Sequence, residues 1–163
     1  MKSTSQNHEI ALLGAGCFWG VEESFRTLPG VHSTAVGYAG GHTDSPTYDD
    51  VCSDATGHAE VVRVEFDPTR ITYPEILKNF FTFHNPTQKN RQGPDVGSQY
   101  RSVIFFFSPE QEKSAHDEID RQRQSGVWSQ PIATVVEPAP TFYAAEDYHQ
   151  KYLMKQGRSS CHL

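Results

Sequence analysis

The sequence has little of what marks several common classes of protein. It contains 3 cysteines in 163 residues, an odd number at wide spacing, which does not suit the disulfide framework of a small secreted domain. Its 14 lysines and arginines are scattered and the formal net charge is -6, so neither nucleic acid nor an anionic membrane is expected as a partner. It has no long apolar run that would predict a secretion signal or a membrane span. A cytoplasmic protein is the resulting expectation.

Metal and nucleotide motifs are also missing. Although 8 histidines are present, there is no Cys-x-x-Cys, no His-Glu-x-x-His and no other tight spacing of ligands, so no metal site is expected. A dinucleotide fingerprint beginning at Gly14 would need glycine where Trp19 stands. A hydrolase elbow around Cys17 would need glycines at Ala15 and Trp19. Both motifs are therefore rejected.

The most informative residue that is present is Cys17. The sequence predicts a short strand at Ile10–Leu13 and a helix at Val21–Leu28, with Gly14 and Gly16 giving the permissive backbone of a sharp turn between them. Cys17 is therefore expected close to the N-terminus of the helix.

That position favours a reactive thiolate. Unpaired backbone N–H groups and the positive end of the helix dipole stabilise negative charge on a cysteine sulfur. Glu22 and Glu23 are expected in the first turn of the same helix. The competing interpretation, that Cys17 is a buried core cysteine, applies to most cysteines taken at random.

The other elements follow from apolar periodicity and from capping signals. Strands are predicted at Val31–Tyr38, Val61–Phe66, Val103–Phe107 and Ile132–Val136, the last at a sheet edge. Helices are predicted after the capping box of Thr72 and Glu75, from Ser108 to near Ser125, and at Ala144–Lys155. Long loops that build a site are predicted at Ala39–Gly57 and His84–Gln99.

This order contains the βαββαβ unit of ferredoxin-like folds. We predict an α+β two-layer sandwich with a mixed sheet, long loops and a coiled C-terminal tail. Residues 1–163 are expected to form a single catalytic domain, in which 1–8 are a polar extension and 156–163 a flexible tail that carries Cys161.

Five motifs follow one another in a fixed order: Gly16–Gly20, Pro46–Tyr48, Gly57–Glu60, Arg91–Ser102 and Ala145–Gln150. Together they resemble one family, the A-type peptide methionine sulfoxide reductases. The resemblance extends from about Ala11 to Tyr152.

The resemblance implies that the Cys17 thiolate attacks the sulfur of methionine S-sulfoxide in an oxidised protein or peptide, releases methionine and becomes a sulfenic acid. Loss of the sulfoxide oxygen needs protons, so a general acid is required within hydrogen-bond reach. Glu60 is expected in that role, kept protonated at neutral pH if Phe18 and Trp19 exclude water from its carboxyl group.

The resemblance also implies the remaining roles around the substrate. The phenol groups of Tyr48 and Tyr100 are expected to hydrogen-bond the sulfoxide oxygen, and Phe18 and Trp19 to hold the methyl group of the substrate. Asp95 is expected to accept a hydrogen bond from the substrate backbone.

Recycling is expected to need a second thiol. Cys161 is expected to condense with the sulfenic acid to form a disulfide, which a thioredoxin-like partner returns to the dithiol. Cys52 is expected to be structural. No cofactor is expected, because no residue pattern calls for a metal, a flavin or a nucleotide, and an external thiol then supplies the electrons.

Other interpretations stay open at this stage. Glu60 could pair with Arg63 or Arg101, as a glutamate at a strand start often does. The chain could be a cysteine hydrolase or acyltransferase with His58 or His149 as base. It could also be a noncatalytic module that binds hydrophobic peptides.

Overall fold

A six-stranded mixed sheet is the central feature of the structure, a computed structural model that describes residues 7–157. The strands are β1 (Glu9–Ala15), β2 (Val31–Ala39), β3 (Ala59–Phe66), β4 (Arg91–Gln92), β5 (Asp95–Val96), β6 (Ser102–Phe106), β7 (Val135–Pro138) and β8 (Tyr143–Ala144). The helices are α1 (Phe18–Arg26), α2 (Tyr48–Cys52), α3 (Tyr73–Thr82), α4 (Pro109–Gln124) and α5 (Tyr152–Lys155).

The strand order of the large sheet is β7-β6-β1-β3-β2-β8. All neighbours are antiparallel except β6 and β7, which are parallel. Its four inner strands, β6-β1-β3-β2, with α1 and α3 as the connecting helices, form the expected ferredoxin-like unit. The predicted α+β fold with a mixed sheet is confirmed.

The two faces of the sheet are covered differently. Alternate residues of β3, Val62, Val64 and Phe66, belong to the main core together with residues of α1, α3 and α4. Val61, on the other face, belongs to a smaller cluster that is packed against Phe142 and its neighbourhood. The helices therefore lie on one face of the sheet, and Glu60 shares that face by the same alternation.

Two helix starts agree with their capping signals and one does not. The capping box of Thr72 and Glu75 begins α3, and Ser108 caps α4 by accepting a hydrogen bond from the backbone N–H of Gln111. Helix α1 begins at Phe18, three residues before the prediction, and its first turn has no acidic residue. The placement of Glu22 and Glu23 in the first turn was therefore wrong.

Both predicted loops contain short elements. Helix α2 lies within the first loop, and its capping box of Thr47 and Asp50 is a signal that was present in the sequence. The second loop contains the β4–β5 ladder, followed by a 3₁₀ turn at Ser98–Tyr100.

The C-terminal part differs most from the prediction. Strand β7 lies at the sheet edge, as expected, but at Val135–Pro138. In place of a helix at Ala144–Lys155, the chain forms the end of β8, a 3₁₀ turn at Asp147–His149 and the short α5. Cys161 lies outside the described residues. Within residues 7–157, no helix has the length and apolar composition needed to cross a bilayer.

Candidate active site

A sharp turn between β1 and α1 places Cys17 at the N-cap of the helix. Gly16 has a φ of +100°, and a Cβ atom there would lie 2.8 Å from Cγ of Gln92, so both conformation and space require glycine. Gly14 has a different role from the one expected, because close packing against Val103, and not a left-handed backbone, leaves no room for a side chain. Cys17 is half-buried, and its backbone carbonyl oxygen accepts the first hydrogen bond of the helix, from Val21 N–H at 3.4 Å.

Glu60 lies beside this turn. Glu60 is only 1% exposed. Its Oε1 accepts a hydrogen bond of 3.1 Å from the backbone N–H of Phe18, the residue that follows Cys17. Arg63 is three residues along β3 and so lies on the opposite face of the sheet. The alternative pairing of Glu60 with Arg63 is therefore wrong.

Tyr48 and Tyr100 lie close to the same carboxyl group. Burial raises the pKa of the Tyr48 phenol, with further contributions from its hydrogen bond to Cys52 and from the negative charge of Glu60. Burial also raises the pKa of the Tyr100 phenol, and the charges of Glu60, Asp95 and Cys17 add to that increase. Both phenols therefore keep their protons at neutral pH and can donate hydrogen bonds.

The predicted apolar contacts form an aromatic wall. Phe18 is buried, and its ring centroid lies 5.2 Å from that of His149. Half-buried Trp19 stacks on Tyr152 with ring centroids 3.9 Å apart and planes 12° apart. The Trp19 indole also donates a hydrogen bond of 2.9 Å to Nδ1 of His149, which fixes the orientation of its ring.

Glu146, to which the sequence analysis gave no role, ties the tyrosine-bearing loop to the sheet. One carboxyl oxygen accepts a hydrogen bond from the Tyr38 hydroxyl and the other from the backbone N–H of Tyr48, both at 3.0 Å. Tyr152 and His149 were missed in the same way as parts of the aromatic wall. For Glu146 and His149 the available signal was the motif Ala145–Gln150, which had carried the resemblance without a structural explanation, whereas Tyr152 lies beyond that motif.

The two remaining described candidates lie at the rim of this region. Asp95 is half-buried in β5, where it pairs with Gln92 of β4. Cys52 is exposed at the end of α2, and partial burial of its thiol raises its pKa. The structure thus places Cys52 beside Tyr48 and not in the core.

Neither histidine proposed for a hydrolase is available as a base. Nδ1 of His58 accepts a hydrogen bond from Gly41 N–H and Nε2 donates to the carbonyl oxygen of Thr43, so the backbone uses both nitrogens. Nδ1 of His149 accepts from Trp19, so in the neutral ring the buried Nε2 carries the proton and cannot take up another, and within residues 7–157 it has no hydrogen-bond partner. A cysteine–histidine catalytic pair is therefore not supported.

The arrangement combines a cysteine at a helix N-terminus, a buried carboxyl group, two phenol donors and an aromatic wall. These groups suit an attack by sulfur on a small polar group whose oxygen must be protonated and whose apolar substituent must be held. Among the described residues, the cluster of three side chains that fits a metal ion includes none of them.

Comparisons with known proteins agree with this chemistry. A family model described as peptide methionine sulfoxide reductase matches residues 9–163. The peptide methionine sulfoxide reductase MsrA of Geobacter sulfurreducens is 56% identical over 153 residues, which are 94% of this chain and 94% of that relative.

Solved structures give the same result. The reduced form of Mxr1 from Saccharomyces cerevisiae matches with a TM-score of 0.89 at 38% identity, covering 98% of this chain and 92% of that one. Mxr1 in complex with Trx2 matches with a TM-score of 0.63 at 28% identity, covering 93% of this chain and 89% of that one. Because the family model spans nearly the whole sequence and the relatives align along almost its full length, the chain belongs to the peptide methionine sulfoxide reductase family.

Proposed function

We propose that the chain carries out the reaction of its family, the reduction of methionine S-sulfoxide in proteins and peptides, with Cys17 as the nucleophile. The observation that carries this assignment is the hydrogen bond of Glu60 to the N–H group that follows Cys17. It supports the proposal, because the buried carboxyl group of Glu60 contacts the residue next to Cys17 in the sequence. The comparisons give no support to a hydrolase, an acyltransferase or a noncatalytic peptide-binding module.

In the proposed step, the Cys17 thiolate attacks the sulfur of the sulfoxide while Glu60 donates a proton to its oxygen. The sulfoxide sulfur gains two electrons and leaves as methionine. The Cys17 sulfur loses two electrons and receives the oxygen as a sulfenic acid, so the net change is thiol plus sulfoxide to sulfenic acid plus thioether.

The surrounding residues are proposed to orient the substrate. Tyr48 and Tyr100 donate hydrogen bonds to the oxygen as negative charge develops on it, which their raised pKa values permit at neutral pH. Phe18 and Trp19 hold the methyl group, and Asp95 accepts a hydrogen bond from the substrate backbone.

Recycling is proposed to use Cys161 and a thioredoxin. The Cys161 thiol condenses with the sulfenic acid, releasing water and forming a disulfide, and the dithiol of a thioredoxin then reduces that disulfide. The solved complex of Mxr1 with Trx2 supports this partner. A thiol reductant makes a bound cofactor unnecessary, and a reducing compartment such as the cytoplasm is the proposed location. The single catalytic domain over residues 1–163 stays a prediction.

The function is tested with a peptide that contains either diastereomer of methionine sulfoxide, with dithiothreitol as reductant and chromatography to follow methionine. We expect methionine from the S diastereomer alone. Cys17→Ser should abolish the reaction, whereas the matched control Cys52→Ser, which retains a hydroxyl group for Tyr48, should keep it. An inactive parent with both diastereomers, or an active Cys17→Ser, would overturn the assignment.

The recycling step is tested separately with Cys161→Ser. This variant should complete one turnover with the S-sulfoxide peptide and then stop when thioredoxin is the reductant, because no intramolecular disulfide can form. Rapid-quench measurement of methionine per enzyme distinguishes one turnover from many. Normal cycling with thioredoxin would rule out Cys161 as the resolving residue and leave the role of Cys17 intact.

A further inference from the structure

Three side chains that are far apart in the sequence meet at the end of the sheet remote from Cys17. The ligand atoms of His8, His32 and Glu65 all lie within 4.8 Å of one another. Nδ1 of His8 lies 2.8 Å from Oε2 of Glu65, and the two imidazole rings have their centroids 4.5 Å apart. Two imidazoles and a carboxylate thus converge on one point of the surface.

An irregularity in β2 is what brings His32 into this group. Val31 pairs with Phe66 and Ser33 pairs with Glu65, so His32 is the extra residue of a β-bulge. A regular strand would send His32 and Ser33 to opposite faces, whereas a bulge can turn both to the same side. The Ser33 hydroxyl donates a hydrogen bond to Oε1 of Glu65, which orients the carboxyl group from that side.

His8 reaches the cluster from the other neighbour of β3. Ile10 pairs with Glu65 across the β1–β3 ladder, and His8, two residues earlier, shares the face of Ile10. The three ligands therefore come from the residue before β1, from the beginning of β2 and from the end of β3. Because they are attached to adjacent paired strands, their backbones are held at nearly fixed separations.

We propose that His8, His32 and Glu65 bind a divalent transition-metal ion, for which Zn²⁺ is the test case, with water completing the coordination. Two imidazoles and one carboxylate are common ligands of Zn²⁺, Cu²⁺ and Ni²⁺. Zinc bonds of about 2.0–2.1 Å place tetrahedral ligands about 3.4 Å apart, so the widest pair must close by somewhat more than 1 Å. The exposed side chain of His32 can make that adjustment by rotation.

The charge of the site suits a cation. Glu65 supplies a carboxylate, and an imidazole in its neutral form offers one nitrogen lone pair. An ion bound here would connect the residue before β1 to the beginning of β2 and the end of β3. The seven residues of β1 separate this point from the turn at Cys17 by roughly 20 Å, so the ion would not contact the reacting sulfur.

The ligands of this site do not form a closely spaced sequence motif. Metal motifs are recognised when ligands lie a few residues apart on one turn or helix. Here the separations along the sequence are 24 and 33 residues, and only the strand order and the bulge bring the ligands together.

The experiment uses the full-length protein after its thiols have been alkylated with iodoacetamide, so that cysteine sulfur does not compete for zinc. Isothermal titration with Zn²⁺ gives stoichiometry and affinity, and thermal unfolding gives the shift in Tm that zinc causes. The variants are His32→Ala and Glu65→Gln. The matched control is His116→Ala, which removes an exposed histidine on α4. Nε2 of His116 lies 3.8 Å from Oε2 of Glu112.

We expect one high-affinity ion per chain, and a rise in Tm of about 8 °C when zinc exceeds its Kd a hundredfold. His32→Ala and Glu65→Gln should weaken binding at least tenfold and remove the zinc-dependent rise, even if Glu65→Gln lowers Tm without zinc. His116→Ala should bind as the parent does. Equal zinc affinity in His32→Ala and the parent would overturn the proposal and leave only a His8–Glu65 ion pair.

Discussion

At the residue scale, Glu60 is a buried glutamate beside the turn that carries Cys17. It is 1% exposed, and its Oε1 accepts a hydrogen bond from the backbone N–H of Phe18 at the start of α1. Burial disfavours the charged form of a carboxyl group, whereas a hydrogen bond from an N–H group stabilises it. A protonated carboxyl group can still accept that bond with one oxygen while donating with the other, and this is what a general acid requires.

Glu60→Gln is expected to slow the reduction step by about 10²–10⁴-fold, because an amide cannot supply the proton. Its carbonyl oxygen can still accept the hydrogen bond from Phe18, so α1 should keep its start. The measurement is the single-turnover rate of methionine formation, with the alkylation rate of Cys17 as a check on the nucleophile. Glu118→Gln, which changes another buried glutamate at 2% exposure, is the matched control and should retain the rate. Equal rates in Glu60→Gln and the parent would exclude Glu60 as the acid.

At the scale of elements, the short α2 lies in the first long loop and holds Tyr48 at the candidate active site. Its capping box joins Thr47 and Asp50 in both directions, with Asp50 N–H to Thr47 Oγ1 at 3.2 Å and Thr47 N–H to Asp50 Oδ2 at 3.0 Å. Because α2 has five residues, its stability depends on this cap, on the burial of Val51 in the main core and on the contact of Glu146 with Tyr48. The orientation of the Tyr48 phenol therefore depends in part on the capping box of Thr47 and Asp50.

Thr47→Ala should lower kcat/KM several-fold, because loosening α2 disorders Tyr48, while Tm changes little. Thr72→Ala is the matched variant, since Thr72 makes the same capping box with Glu75 on α3. It should lower the free energy of unfolding by about 1 kcal/mol and leave kcat/KM unchanged. Steady-state kinetics and urea unfolding of both variants measure the contrast. Identical kcat/KM values for Thr47→Ala and the parent would show that α2 does not position Tyr48.

Elements with strong periodicity could be predicted from the sequence, and those set by tertiary contacts could not. Helix α3 has both a capping box and a continuous apolar stripe, so its prediction was confirmed. A helix was expected at Ala144–Lys155, but Ala144 pairs with Gly37 of β2. The side-chain amide of Gln150 also accepts a hydrogen bond from Val36 N–H and donates one to the Val36 carbonyl oxygen. Those contacts across the fold override the local propensity.

The same distinction applies to the site. Cys17 could be placed from local signals, because the adjacent strand, glycine and helix all lie within a few residues of it. Glu22 illustrates the opposite case. Its carboxyl group is buried and accepts hydrogen bonds from the Thr34 hydroxyl and from the backbone N–H of Lys151, 129 residues away, which no helical pattern could indicate.

At the scale of the whole molecule, His84 joins parts of the chain that are distant in sequence. Its Nδ1 donates to the carbonyl oxygen of Phe80 in α3 at 2.8 Å, and its Nε2 accepts from the Ser102 hydroxyl of β6 at 2.7 Å. Ser102 Oγ in turn lies 2.7 Å from Thr134 Oγ1, just before β7. Only the neutral imidazole can accept from Ser102, so this network requires an uncharged His84.

That requirement gives the fold a defined dependence on acid. Burial lowers the pKa of His84 from 6.5 to about 4, so between these values the unfolded chain binds a proton that the folded chain does not. The free energy of unfolding should therefore fall as the pH falls from about 6.5 to about 4, by about 3 kcal/mol in total from this group, and remain level with respect to it outside that range.

His84→Asn isolates the contribution of this one histidine. The Asn amide can still donate to Phe80 but does not titrate. The difference in free energy of unfolding between parent and variant, here called the stability gap, should therefore narrow steadily as the pH falls through this range. Other groups that titrate there, such as His149, whose pKa burial also lowers, are common to both proteins and cancel in the comparison. Urea unfolding at half-unit steps of pH measures the gap. A gap that stays constant from pH 7 to pH 4 would show that His84 is already free to protonate in the folded protein.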